Sequence, residues 1–181
     1  MNIDKKRLAL YSAGLIICMA TWFLIRVSEL STFHILNFSI LIIFSYAAMV
    51  FDIKTKRIPN LLVLIMMLGW LLIIVPTLFI NTEHGIRLLA DSIFGLLLAG
   101  GLFLLVYFVS RKGLGGGDVK FMAAVGLYLG FAEVLPTILY GTILAAITGL
   151  ILILLKKIDR KGKMPLVPFL FVGIMITLLV A

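Results

Sequence analysis

The chain alternates long apolar blocks with short polar punctuation, and the blocks lie near residues 8–27, 34–53, 59–80, 87–109, 118–131, 133–155 and 164–181. A bilayer core about 30 Å thick takes roughly 20 apolar residues in helical form, with a range of about 17–25. Only the fifth block falls short of that range. Gly130 and Pro136 lie around its junction with the sixth, so 118–155 reads either as two spans or as one bent span. The blocks must be helices, because hydrocarbon offers no partner for an unpaired backbone group. Pro59 fits a helix start, where its missing N–H costs nothing. Polar loops are only a handful of residues long, with no repeat and no linker. The expectation is an all-α membrane protein: a polytopic bundle of about six to seven transmembrane helices, forming one domain over residues 1–181. Gly95, Ala99, Gly100 and Gly101 form a small-residue stretch that lets helices approach closely.

Composition agrees with the pattern. Of 181 residues, 63% are hydrophobic and 13% charged, and the mean hydropathy is +1.24. A soluble domain is roughly 45–50% apolar and about 25% charged, so polar surface is too scarce here to cover a water-soluble globule. The first block follows Lys5, Lys6 and Arg7, as in a signal peptide, but no small-residue cleavage site of the Ala-x-Ala type follows it. It reads as a retained span. Cys18 is a lone cysteine in an apolar run and suits neither a disulfide nor zinc. His34 and His84 are far apart in sequence and form no metal motif. Trp22 and Trp70 read as ordinary span or interface residues.

Charge adds an orientation. The net charge is +8, yet the basic residues sit in clusters between apolar runs, which is the pattern of membrane topology rather than of nucleic-acid binding. With the amino terminus inside and seven crossings, the inner segments hold Lys5, Lys6, Arg7, Lys54, Lys56, Arg57, Arg111, Lys112, Lys120, Lys156, Lys157, Arg160, Lys161 and Lys163. These are fourteen of the sixteen basic residues. The outer side keeps Arg26 and Arg87. The expected location is the cytoplasmic (inner) membrane with a cytoplasmic amino terminus.

Two polar stretches interrupt the apolar pattern with candidate chemistry. One is Gly113-Leu114-Gly115-Gly116-Gly117-Asp118-Val119-Lys120. The other is Phe51-Asp52-Ile53-Lys54-Thr55-Lys56-Arg57-Ile58-Pro59-Asn60. The topology puts Asp52 and Asp118 at the same inner membrane edge. Acids at such depth are costly and are functional candidates by default. Two carboxylates close together cannot both ionise readily and share a proton. The charged member can take a proton from water while the neutral one donates to a peptide carbonyl. Asp118 opens a helix, where the macrodipole favours negative charge, whereas Asp52 closes one. Asp118 is therefore expected to be the more acidic and Asp52 to hold the proton. Structural alternatives exist: Asp118 is a favoured N-cap residue, and Asp52 can pair with Lys54, Lys56 or Arg57. The glycines permit positive φ and close backbone approach, which suits pairing with an extended substrate. They also suit a plain turn.

At these residues the sequence resembles the type IV prepilin peptidases, membrane aspartic proteases of the GxGD class. Gly115-Gly116-Gly117-Asp118-Val119-Lys120 matches the GxGD motif and its downstream lysine. Asp52 with Arg57-Ile58-Pro59-Asn60 is similar to the first-aspartate region. Met164-Pro165-Leu166-Val167-Pro168-Phe169-Leu170 resembles the family's Pro-Phe-Gly-Pro-Phe-Leu, departing at Leu166 and Val167. The resemblance covers about residues 36–181 and leaves 8–27 as an extra span. It implies that Asp52 and Asp118 are catalytic. It places Gly115, Gly116, Gly117, Lys120, Pro165 and Pro168 as candidates for substrate contact. The implied substrate is a prepilin, pseudopilin or preflagellin with a short basic leader ahead of a hydrophobic helix, cut at the cytoplasmic face. Longer family members carry two Cys-x-x-Cys pairs linked to N-methylation. Those pairs are missing here, so the expectation is peptidase activity without methyl transfer, zinc or another cofactor. Asp159 is considered as a receptor for the leader's charge and is unconvincing. The alternative function is a small transporter or ion-coupled channel subunit, for which a paired-carboxylate site belongs near the membrane midplane. A catalytically dead assembly partner of a secretion system is a third option, and the intact pair of acids speaks against it.

Overall fold

A computed structural model describes residues 5–26, 32–110, 113–156 and 164–180, with the side chains of 5–9 and 32 excepted. The described residues form six helices: α1 (Lys5–Arg26), α2 (Thr32–Thr55), α3 (Asn60–Ile80), α4 (Thr82–Val109), α5 (Gly116–Leu154) and α6 (Val167–Val180). The polar punctuation supplies the helix ends. Lys56 takes φ 51° and its N–H returns to the Asp52 carbonyl at 2.8 Å, a left-handed stop of the kind that closes helices. Pro59 (φ −62°) precedes the first residue of α3. The Asn81 side chain accepts the His84 N–H at 3.2 Å and caps α4.

The protein is an all-α membrane protein. Four helical stretches are long and apolar enough to cross a bilayer: Phe33–Thr55, Asn60–Ile80, Thr82–Val109 and Gly116–Leu154. Leu10–Arg26 and Val167–Val180 are shorter apolar helices. By that measure the count is lower than six to seven. The expected blocks 118–131 and 133–155 are joined in one element, α5, broken at Gly130 (φ 76°, ψ −173°). Pro136, the other expected breaker, lies inside the helix.

Contacts show that α5 turns back on itself at Gly130. Lys120 bonds to Asn60 at the start of α3, and further along the Tyr128 hydroxyl donates to the Met66 carbonyl at 2.6 Å. The first arm (116–129) therefore runs alongside α3. Asn37, near the start of α2, donates to the Tyr128 carbonyl at 2.6 Å, so this arm ends opposite the Asp52 end of α2. The second arm runs the other way. Thr137 bonds to Thr177 near the end of α6 at 2.9 Å, Gly141 lies beside Leu170, and Gly149 approaches Met164. The end of α2, both ends of the 110–116 link and the start of α6 thus gather at one end of the bundle.

Small residues set the closest approaches. A Cβ on Gly95 would lie 2.3 Å from the Gly126 carbonyl oxygen, and one on Gly173 would lie 2.6 Å from that of Thr137. Ala99 is fully buried, and a Cβ on Gly100 would meet Ala123 at 3.0 Å. Gly101 departs from the expectation: a Cβ there meets nothing within 4 Å. Large apolar side chains such as Leu72, Phe79 and Leu105 stay exposed on the outer faces. Such apolar surface belongs against lipid. Trp22 and Trp70 are both core residues.

Candidate active site

Asp52 lies in the last turn of α2 and is buried. Its Oδ2 accepts the Val167 N–H at 3.0 Å, at the start of α6. Pro165 and Pro168 flank the donor and are half-buried. They shape the support of Asp52 and do not line the cavity below. Lys54, one of the expected partners of Asp52, instead places its Nζ 4.3 Å from the centre of the Tyr11 ring.

Asp118 is half-buried in the first turn of α5. Its Oδ2 accepts the Gly115 N–H at 3.2 Å, and its own N–H bonds to the Gly115 carbonyl at 3.0 Å. The N-cap position falls to Gly115, and Asp118, three residues later, ties down the turn that presents it through its carboxylate. Each acid accepts a backbone amide, so a main-chain hydrogen bond orients both. The two carboxylates lie near enough to act on one another electrostatically.

Both carboxylates line one cavity of about 350 Å³, together with Lys56, Arg57, Ile58, Asn60 and Gly115–117. The glycines behave differently from expectation. Gly115 has φ −73° and ψ 137°, and Gly130 is the one glycine with positive φ among the described residues. Gly116 and Gly117 belong to the first turn of α5, not to a loop. Their contribution is a wall without side chains: a Cβ on Gly116 meets nothing within 4 Å, and one on Gly117 meets Ile58 at 3.4 Å.

Lys120 does not line this cavity, and its Nζ donates to Asn60 Oδ1 at 3.1 Å. Lys56 and Arg57 add positive charge to the wall beside two acids. Asp159, Lys157, Arg160, Lys161, Lys163, Arg111 and Lys112 lie outside the described residues. Three participants escaped sequence reasoning: the Val167 N–H, the Ile58 side chain and the Asn60–Lys120 bond. The first is a backbone group and leaves no compositional trace. The other two stood within the quoted motifs, but nothing in the spacing joined them across the fold.

A family model for the type IV leader peptidase family matches residues 39–150. Curated relatives include prepilin leader peptidase/N-methyltransferases. That of Pseudomonas aeruginosa is 32% identical over 132 residues, covering 71% of this chain and 43% of the relative. That of Aeromonas salmonicida is 30% identical over 134 residues, with 71% and 43% covered. That of Escherichia coli is 28% identical over 137 residues, with 71% and 56% covered. The chain thus spans about half the length of these relatives. No solved structure matches. The family match takes in both carboxylates of the cavity and more than half of the sequence, and the chain belongs to the type IV leader peptidase family.

Proposed function

We propose that this protein is a membrane-embedded aspartic endopeptidase that removes the short basic leader of prepilin-like or preflagellin-like substrates at the cytoplasmic face. The observation that carries the reading is the single cavity lined by Asp52 and Asp118 at the end of the bundle where α2, α5 and α6 meet. In this scheme a water lies between the carboxylates. The charged one takes a proton from the water as its oxygen adds to the peptide carbonyl carbon. The neutral one gives its proton to the carbonyl oxygen. Collapse of the tetrahedral species returns a proton to the departing amine. Helix ends assign Asp118 as the charged member and Asp52 as the protonated one. An infrared carboxylic-acid band lost in Asp118→Asn but kept in Asp52→Asn reverses that assignment.

The open space at Gly116, in the wall of this cavity, gives room for an extended substrate backbone. The 181 residues hold one cysteine, Cys18. The reading assigns proteolysis to these residues. The carboxylates sit at one end of the bundle rather than midway along it, which weighs against ion conduction.

Co-expression with a type IV prepilin tests the proposal. Leader removal by the wild type, lost in both Asp52→Asn and Asp118→Asn, is the expected result. Cleavage that survives either substitution overturns the dyad.

A further inference from the structure

We propose that the groove between α3 and the first arm of α5 seats the apolar helix of the substrate, immediately downstream of the cleaved bond. This inference rests on the protease reading above. The groove has a volume of about 600 Å³ and a wall of Val63, Leu64, Met67 and Ala123, with Asn60 and Lys120 at one end. Asn60 also lines the carboxylate cavity, so the two spaces share a wall. One is walled by charge and glycine, the other almost entirely by carbon.

A chain that changes from polar leader to apolar helix at its cut needs matching surfaces on either side. The groove provides the apolar one, and it runs in the required direction. From Asn60 to Met67 it follows α3 for about two turns, or roughly 10 Å, away from the carboxylates and along the bundle. Exposed Leu64 faces it and leaves it open to entry from the side.

The junction has its own chemistry. Cleavage requires an unwound segment, and its freed carbonyls need donors where water is scarce. Lys120 carries three N–H donors, one of them directed at Asn60 Oδ1. The others stand where the peptide crosses from cavity to groove. Lys120 is thus a positioning residue for the backbone just past the cut.

Cysteine cross-linking tests the placement. Cys18 is the sole cysteine, so Cys18→Ala leaves a clean background. Single cysteines replace Leu64, Met67 or, as a control on the exposed face of α4, Leu105, in an Asp118→Asn chain that holds substrate uncut. The probe is a full prepilin with one cysteine stepped along the first ten residues of its apolar helix. Disulfides are expected at 64 and 67, at prepilin positions on one helical face, with little at 105. Equal yield at 105, or none at 64 and 67 while prepilin co-purifies, overturns the proposal and leaves the groove to lipid chains. In otherwise wild-type protein, Leu64→Trp and Met67→Trp are expected to raise KM about tenfold with kcat little changed, while Leu105→Trp changes neither. Unaltered KM in both groove variants also overturns it. If wild-type protein fails to cleave in the same membranes, the protease reading falls and the groove with it. Normal cleavage with misplaced cross-links removes the groove alone.

Discussion

At one end of the first arm of α5, Asp118 accepts the Gly115 N–H. At the other end, Asp91 accepts the Phe131 N–H at 3.0 Å, beside Gly130. Each end pairs an aspartate with glycine and each aspartate caps a helical start, yet the glycines differ. Gly130 has no room for a side chain, because a Cβ there would fall 1.9 Å from Asp91 Oδ2 on a backbone with φ 76°. A Cβ on Gly116 would meet nothing within 4 Å. A glycine the fold requires is a structural part. A glycine the fold does not require, in a cavity lined by two acids, leaves its space for something that enters.

The strongest test of this contrast removes the acids. Asp52→Asn or Asp118→Asn is expected to lower the leader-cleavage rate by a factor of about 10²–10⁴ with the bundle still folded, measured by single-turnover cleavage in membranes. The corresponding change at the far end, Asp91→Asn, is expected to leave the rate within about twofold. A large loss of rate in Asp91→Asn would merge the two ends into one functional unit.

Gly130→Ala follows. Left-handed strain in a region reserved for glycine costs about 1–3 kcal/mol, and overpacking adds about 1–3 kcal/mol. We expect a loss of about 3 kcal/mol or more, read as a lower unfolding midpoint in detergent. A midpoint equal to the wild type's means that the turn between the arms does not depend on this glycine.

Gly116→Ala reverses the pattern. Alanine is favoured over glycine in a helix by roughly 0.5–1 kcal/mol, so the midpoint should stay level or rise. Cleavage should nevertheless fall about tenfold, because a methyl group intrudes on the space proposed for the substrate backbone. A stabilised and fully active Gly116→Ala protein shows that the open wall serves no substrate.

Much of this was legible in the one-dimensional pattern, and the reasons differ by region. Hydropathy marks the helices because all are apolar and four are long enough to cross a bilayer. Asp52 and Asp118 stood out because acids at the edge of apolar runs are expensive and scarce. The break in α5 was half-legible: Gly130 and Pro136 were equal candidates, and only Gly130 leaves helical geometry. Pro136 gives up one backbone bond and stays helical, whereas a reversal needs a backbone that only glycine adopts easily. The reason for glycine at 113–117 was misread for the converse cause. The motif suggests φ freedom, while the structure uses only the missing side chain. Asp91 was invisible, because its partner is an amide 40 positions away and no motif surrounds it.

Asp91 therefore gives the finest test of the comparison. Replacing it with alanine removes the cap of the second arm, a loss of about 1 kcal/mol within the 0.5–2 kcal/mol range for such caps. It also clears the atom that a Cβ at 130 would strike. Asp91→Ala alone should lower the unfolding midpoint slightly. Combined with Gly130→Ala it should be less harmful than the sum of the two single changes, because the steric part of the Gly130 penalty is gone and only the backbone strain remains. A double-mutant cycle on unfolding in detergent measures that coupling. Strict additivity would mean that Asp91 and Gly130 do not meet, and that the far end of the arm is held by something other than this pair.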